Sequence, residues 1–398
     1  MSKSTCSAVD RILGPSFAGD PGVISNIRLL EAWIETRLAY DNQPALNIAV
    51  VYDQELVWAR SFGCADLDSK RPAALGDLYR IASQSKLFTA IAVMILQEEG
   101  RLQLDDPVEK HLPWFRMQNR YPDAPAVTVR HLLSHTGGLP SEAASPYWSD
   151  FNFPETGQII AGLPGQETSY PPQTKWKYSN LGYTLAGEIV SAGSGLSYAD
   201  FIARNILAPL AMTSTSVAIS GEARKRLAQG YGRRMPDGSR ARMPFVELKG
   251  MSACGGFSST LEDLARFASW QFRLLGKGGQ EILRASTLKE MQRAHWVHPD
   301  WQSGWGLGFG IAHTRERDIA FHGGWLPGYR SHFAVSPVEK VGVIVMQNID
   351  DATTVVVDRV FEWLVPAILK AALPIGTATQ PDPSWGRFVG RYRAWTGD

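Results

Sequence analysis

"RIASQSKLFTAIAVMILQEEG", residues 80–100, sets a run of apolar side chains behind a serine and a lysine. From Leu87 to Leu96 only Thr89 is polar, and Glu98, Glu99 and Gly100 close the segment. A helix that is apolar on all sides belongs in a core. The rest of the chain must therefore wrap around a helix over residues 83–99. Lys86 lies in its first turn, three residues after Ser83 and on the same face. Burial penalises the charged form of a lysine, which makes Lys86 chemically unusual before any partner is known.

On the N-terminal side, "ISNIRLLEAWIETRLAY" (24–40) has helix periodicity, and "ALNIAVVYDQELVWARSFGCAD" reads as strands over 46–52 and 56–63 with a turn at Asp53 and Gln54. On the C-terminal side, Pro and Gly punctuate short helical pieces, and a loop-rich stretch spans 140–177. "LGYTLAGEIVSAGSG", "YADFIARNILAPL" and "STLEDLARFASWQFRLL" then read as helices, the last with Ser259 and Thr260 as cap candidates. Strands return at "WGLGFGIAH", "DIAFHGG", "YRSHFAV" and "VGVIVMQN", and "TTVVVDRVFEWLVPAILKAA" is a last helix. Strands at both ends with helices between them predict an α/β (α+β) fold. One antiparallel sheet is built from both termini and flanked by helices, with a mostly helical domain beside it. The expected division is an N-terminal extension (1–23) followed by a catalytic unit (24–375). Within that unit the sheet part is about 24–82 and 256–375 and the helical part about 83–255. Residues 376–398 read as a Pro-containing linker and the start of a further β module.

Composition narrows the function. A 44% hydrophobic and 20% charged chain is ordinary globular protein. A formal net charge of +1 gives no electrostatic case for nucleic acid or an anionic membrane. No apolar run reaches the roughly 18 residues of a membrane span. The N-terminus has no apolar core of a secretory signal, so the cytoplasm is expected, or the periplasm if a leader has been removed. Cys6, Cys64 and Cys254 are read as free thiols, too scattered for a disulfide framework or a zinc site.

A serine hydroxyl attacks only when a base takes its proton. Ser83 and Lys86 at the head of a buried helix fit that task, since the helix N-terminus favours negative charge developing at the serine. A second S-x-x-K, Ser286 to Lys289, opens a polar amphipathic segment and reads as a surface helix capped by the serine. Tyr178 and Asn180 form Y-x-N just before a helix: a phenol beside an ammonium can serve as a second base, and the amide can hold both lysine and substrate. Tyr40 to Asn42 repeats the triplet at the end of the first helix. His322, Gly323 and Gly324 end a strand, where glycines let a substrate approach, and the N–H of Trp325 could join that of Ser83 as an oxyanion hole. His322 is expected to change charge near pH 6.5 unless its surroundings shift it. The rival His135 to Gly137 reads as a structural turn, and the pair His131 and His135 lacks a third metal ligand. The glycines of "GWGLGFG" do not fit a nucleotide-binding spacing, and no G-x-S-x-G occurs. No cofactor and no metal is expected.

The series S-Q-S-K, Y-S-N, H-G-G, with "RHLLSHTGGLP" between the first two, resembles the serine β-lactamases and penicillin-recognising enzymes on the class C and DD-peptidase side. The resemblance covers roughly residues 24–372. It implies a β-lactamase/transpeptidase-like sheet domain and helical domain with the site between them. It implies further that Ser83 is acylated, Lys86 accepts its proton, Tyr178 is partner base and donor to the leaving group, and Asn180 orients substrate. Where the lactamases carry K-T-G this chain has His322-Gly323-Gly324, similar to DD-carboxypeptidases, D-aminopeptidases and related serine peptidases. The function implied is an acyl-enzyme hydrolase, a peptidase or amidase on small or linear peptides. A carboxylesterase is the first alternative, and a β-lactamase or inactive penicillin-binding relative the second. The partner is a small-molecule or peptide substrate, with the oligomeric state open.

Overall fold

The computed structural model describes residues 10–314, 316–350 and 353–373. The expected linker and β module over 376–398 lie outside the described residues, as do residues 1–9 of the expected extension. A ten-stranded sheet forms the body. Its strands, in chain order, are β1 (Arg11–Leu13), β2 (Ala45–Tyr52), β3 (Glu55–Asp66), β4 (Trp296–Val297), β5 (Ser303–Trp305), β6 (Gly310–His313), β7 (Asp318–Leu326), β8 (Tyr329–Ser336) and β9 (Val341–Gln347). They lie in the spatial order β1-β3-β2-β9-β8-β7-β6-β5-β4, all antiparallel, and the two-residue strand Arg71–Pro72 pairs with β3. The join between the two ends of the chain is β2 with β9, where Ile48 faces Val345 and Val50 faces Val343.

Both central strands are buried along nearly their whole length, which is why they read as continuous apolar runs rather than alternation. Alternate residues serve two cores. Ile48, Val50, Val343 and Val345 pack on α1 (Pro21–Asp41) and the C-terminal helices Thr354–Arg359 and Val365–Ala371. Ala49, Ile344 and Met346 face the other core, with α2 (Ser85–Glu98), α3 (Asn180–Ser194) and α4 (Leu261–Lys277). α1 begins where Asp20 caps the Val23 N–H at 2.8 Å ahead of Pro21, and ends at Asn42 in the left-handed region. Thr260, not Ser259, caps α4; Ser259 is buried in a short strand.

Every residue of α2 from Ser85 to Leu96 is buried, as its composition requires. The residues on either side of the helical segment meet again: Tyr79–Arg80 pairs with Ser258–Ser259 in a two-residue ribbon. The chain thus enters and leaves that segment side by side. A β-hairpin, Tyr231–Arg234 with Arg240–Arg242, lies within the stretch expected to be helical. Part of the expected N-terminal extension adds an edge strand, since β1 pairs Arg11 to Leu13 with Arg60 to Trp58.

Two expectations are corrected. "WGLGFGIAH" is not one strand: β5 stops at Trp305 and β6 starts at Gly310. Gly308 between them has φ +89°, and a side chain there would come 2.6 Å from the Ala90 Cβ of α2, so the glycine lets this connection touch the buried helix. Nor are all three cysteines free thiols. Cys254 is free and buried, whereas Cys64 is disulfide-bonded. Among the described residues no helix is long and apolar enough to cross a membrane.

Candidate active site

Ser83 lies in a single 3-10 turn, Ala82–Gln84, that feeds into α2. The turn is held at both ends of its backbone. Ile81 N–H donates to Phe257 O at 3.0 Å, and Ser331 Oγ donates to Ile81 O at 2.9 Å. Ser85 Oγ ties the turn again, donating to Ala82 O at 2.6 Å and accepting from Phe257 N–H at 3.1 Å. Ala82 has φ +49°. A left-handed non-glycine residue costs roughly 1–2 kcal/mol, and it stands directly before the serine. The surrounding bonds hold it there.

Lys86 is fully buried. Its Nζ lies 2.7 Å from Asn180 Oδ1, 2.6 Å from Cys254 O and 3.3 Å from Ser83 Oγ. The first two partners are carbonyl oxygens and can only accept. An amine that spends two N–H groups on them turns its remaining position toward Ser83, which is the geometry a base needs. The Tyr178 ring centroid is 4.9 Å from the same nitrogen and that of Tyr183 5.5 Å. Tyr178 thus shares the site through its ring, while its hydroxyl makes no hydrogen bond to Ser83 or Lys86. Asn180 opens α3 and passes the network on, donating from Nδ2 to Glu142 Oε1 at 2.7 Å. Glu142 also accepts from the Tyr147 hydroxyl. Burial and that carboxylate push the Tyr147 phenol far above its ordinary range, so it remains a donor.

His322, Gly323 and Gly324 lie on β7, against the serine turn. A side chain on Gly324 would meet Ile81 O at 2.1 Å and Ser331 Oγ at 2.3 Å, so only glycine lets strand and turn come this close. β6 pairs with β7 only as far as Phe321. From His322 to Leu326 that edge of β7 therefore has no partner strand among the described residues, and Trp325, 40% exposed, stands at its rim. His322 itself is 3% exposed. Burial first, and then the Lys86 charge, push its imidazolium down to about 3, so the expected charge change near pH 6.5 does not occur.

These residues line a cleft of about 740 Å³. It contains Ser83, Tyr178, Asn180, His322, Gly323, Gly324 and Trp325, with Trp148, Phe153, Trp305 and Met251 among its apolar walls and Glu142, Arg330 and Asp350 as charged groups. Trp148 and Trp325 face each other with ring centroids 5.4 Å apart. Of the rival residues, Ser286, Lys289, Tyr40 and His131 lie elsewhere, while His135 packs beside Tyr178. Ser286 and Lys289 are exposed on Ala285–Met291, whose N-cap is Arg284, so Ser286 is inside that helix rather than its cap. Tyr40 is 81% exposed. His131 completes a capping box with Thr128. His135 sits in the left-handed region, with its Nδ1 accepting from Ser179 N–H at 3.1 Å and its ring 4.3 Å from that of Tyr178. Among the described residues no group of three or more His, Cys, Asp or Glu could hold a metal ion. Sequence reasoning missed three participants. Glu142 stands in a loop of small residues where the nearby "HTGGLP" was its only signal. Cys254 acts through its carbonyl, which no side chain announces. Trp305 was read as one residue of a longer strand.

Comparison with known proteins gives a consistent set. The family described as Beta-lactamase matches residues 30–365. The chain is 31% identical over 334 residues to "Penicillin-binding protein 4*" of Bacillus subtilis (strain 168), spanning 80% of this chain and 69% of that one. It is 28% identical over 327 residues to "Protein flp" of Staphylococcus aureus (strain MRSA252), spanning 80% of this chain but only 62% of that protein's length. Among solved structures, the octameric penicillin-binding protein homologue from Pyrococcus abyssi is similar with a TM-score of 0.71 and 28% identity, over 81% of this chain and 73% of that one. A D-stereospecific amidohydrolase from Streptomyces sp. is similar with a TM-score of 0.69 and 25% identity, over 85% and 98%. A class C beta lactamase from Rhodobacter sphaeroides shares the fold, with a TM-score of 0.70 at 20% identity, over 85% and 99%.

Proposed function

For this chain, which belongs to the Beta-lactamase family, we propose a serine hydrolase that works through an acyl-enzyme and cleaves small or linear peptides and related amides. The observation that carries the reading is the buried Lys86 Nζ, held by Asn180 Oδ1 and Cys254 O and directed at Ser83 Oγ. Ser83 Oγ attacks the substrate carbonyl while its proton passes to Lys86, with Tyr178 beside it as the second base. The oxyanion is met by the N–H groups of Ser83 and Trp325. When the C–N bond breaks, the departing nitrogen receives a proton from Tyr178, leaving an ester on Ser83. Water then adds to that ester, the proton returns through the same bases, and the acid product leaves with Ser83 restored.

The names of two similar proteins, a penicillin-binding protein and an amidohydrolase, support amide chemistry. A carboxylesterase is the second reading. It is favoured by the apolar cleft walls and by the lack of a lysine at His322, which together suit a neutral acyl group. The deciding experiment is covalent labelling with a fluorophosphonate and with a fluorescent penicillin, followed by turnover of p-nitrophenyl esters and peptide anilides. Ser83→Ala should lose labelling and turnover while keeping its fold, and Ser286→Ala should keep both. Labelling that survives Ser83→Ala would assign the nucleophile to another residue.

A further inference from the structure

We propose that His322 is a specificity residue whose Nε2 accepts a hydrogen bond from a substrate N–H, so that the cleft selects amide-bearing substrates over carboxylate-bearing ones. The inference rests on the acyl-enzyme reading above and names the substrate class for that same site. His322 Nδ1 lies 2.6 Å from Gly323 O. A carbonyl oxygen cannot donate, so Nδ1 carries the ring proton. Burial holds the ring neutral at ordinary pH, and a neutral imidazole protonated at Nδ1 has a bare lone pair at Nε2. That Nε2 is buried and has no hydrogen-bond partner among the described residues, although His322 lines the cleft beside Ser83. A buried acceptor left without a donor is unfavourable, and a substrate N–H arriving in the cleft supplies one.

The ring cannot easily turn away. It packs edge-on against Trp305, with centroids 5.4 Å apart, and lies 6.4 Å from the Tyr178 ring. The charges around the cleft are mixed and leave the choice to His322. Glu142 and Asp350 line it. Of the cations, Lys86 is engaged with Ser83, Asn180 and Cys254, and Arg330 donates to Asp350 O at 3.1 Å. A carboxylate set against a lone pair meets repulsion with no proton to share, whereas an amide N–H meets an acceptor. A lysine at this position is donor-only and cationic; His322 in this state is neutral and offers the cleft only the Nε2 acceptor. The preferred substrate group is reversed.

The test is a matched set of N-acyl dipeptides ending in a carboxamide, an N,N-dimethylamide or a free carboxylate. In the wild-type protein kcat/KM for the carboxamide should exceed that for each of the other two by about tenfold or more, because only the carboxamide brings the terminal N–H that the buried acceptor lacks. His322→Phe keeps an aromatic ring without the acceptor and should bring carboxamide and dimethylamide close together. His322→Lys should raise the carboxylate relative to both. A wild-type protein that shows no preference or favours the carboxylate overturns the inference, and so does an unchanged preference in His322→Phe. Should neither variant fold, the wild-type comparison alone decides. Fluorophosphonate labelling of Ser83 is followed in parallel: no labelling means that the acyl-enzyme reading has failed, while labelling without selectivity removes only the role given to His322.

Discussion

Asn180 takes an N–H of Lys86 on Oδ1 and donates from Nδ2 to the Glu142 carboxylate, which can only accept and so fixes the orientation of the amide. Glu142 is therefore expected to act on Lys86 through Asn180. Replacing Glu142 with Leu removes the acceptor and lets the amide turn, and kcat should fall about tenfold or more with a smaller change in KM. Asn180→Ala should cost a similar factor, and the double variant should be no worse than Asn180→Ala alone, because both act on one chain of bonds. Strictly additive losses in this cycle would show that Glu142 only supports its loop. Ser286→Ala bears on the other S-x-x-K. Since Ser286 is not a cap, its loss should change stability by no more than about 0.5 kcal/mol, measured as a shift in Tm. At this scale the meeting of Ser83, Lys86 and Asn180 was legible, because a lysine within an apolar helix needs polar partners close by. Glu142 was not legible, because a carboxylate in a loop looks like any solvated charge until its partners are known.

The closeness of β7 to the serine turn can be tested with two neighbouring glycines. Gly324→Ala would drive a methyl group into Ile81 O and Ser331 Oγ, and overpacking of this kind typically costs about 1–3 kcal/mol. Gly323→Ala would meet nothing nearer than His332 Nδ1 at 3.7 Å, an ordinary contact. Thermal unfolding should thus drop clearly for Gly324→Ala and far less for Gly323→Ala. Equal shifts would mean that the strand and turn can move apart. The elements themselves were largely readable. α1, α2, β2, β3, β8 and β9 follow from periodicity and from unbroken apolar runs. What periodicity could not reveal was the break at Gly306–Phe309, since alternating glycines mimic one face of a strand. It also missed the hairpin at 231–242, because its arginine-rich strands lack the apolar alternation that marks a half-buried sheet. Ala82 belongs with these: its positive φ is imposed by bonds from residues far along the chain, and a local reading sees only a helix former.

Across the whole molecule, buried histidines tie stability to acid. His332 is held to about 4 and His322 to about 3, both by burial first, against an ordinary value near 6.5. Unfolding exposes these rings, which then take up protons at any pH below about 6.5. Their contribution is complete above that pH and is lost as the pH falls from 6.5 toward 4 and 3. Between pH 6.5 and 5 each should cost on the order of 2 kcal/mol. Thermal or urea unfolding at those two values measures the loss, and His332→Phe, beside the stacked Phe321 ring, should make the loss smaller. If that variant loses as much as the wild type over this range, the acid sensitivity lies in other groups. The sheet that holds His322 and His332 also sets a timetable for biosynthesis. β2 is made long before its neighbour β9, which begins only at Val341. At about 5–20 residues per second a ribosome needs roughly 15–60 s to bridge that interval. For that time the nascent chain carries an apolar strand with one edge still waiting for its mate, an edge open to pairing with the wrong one.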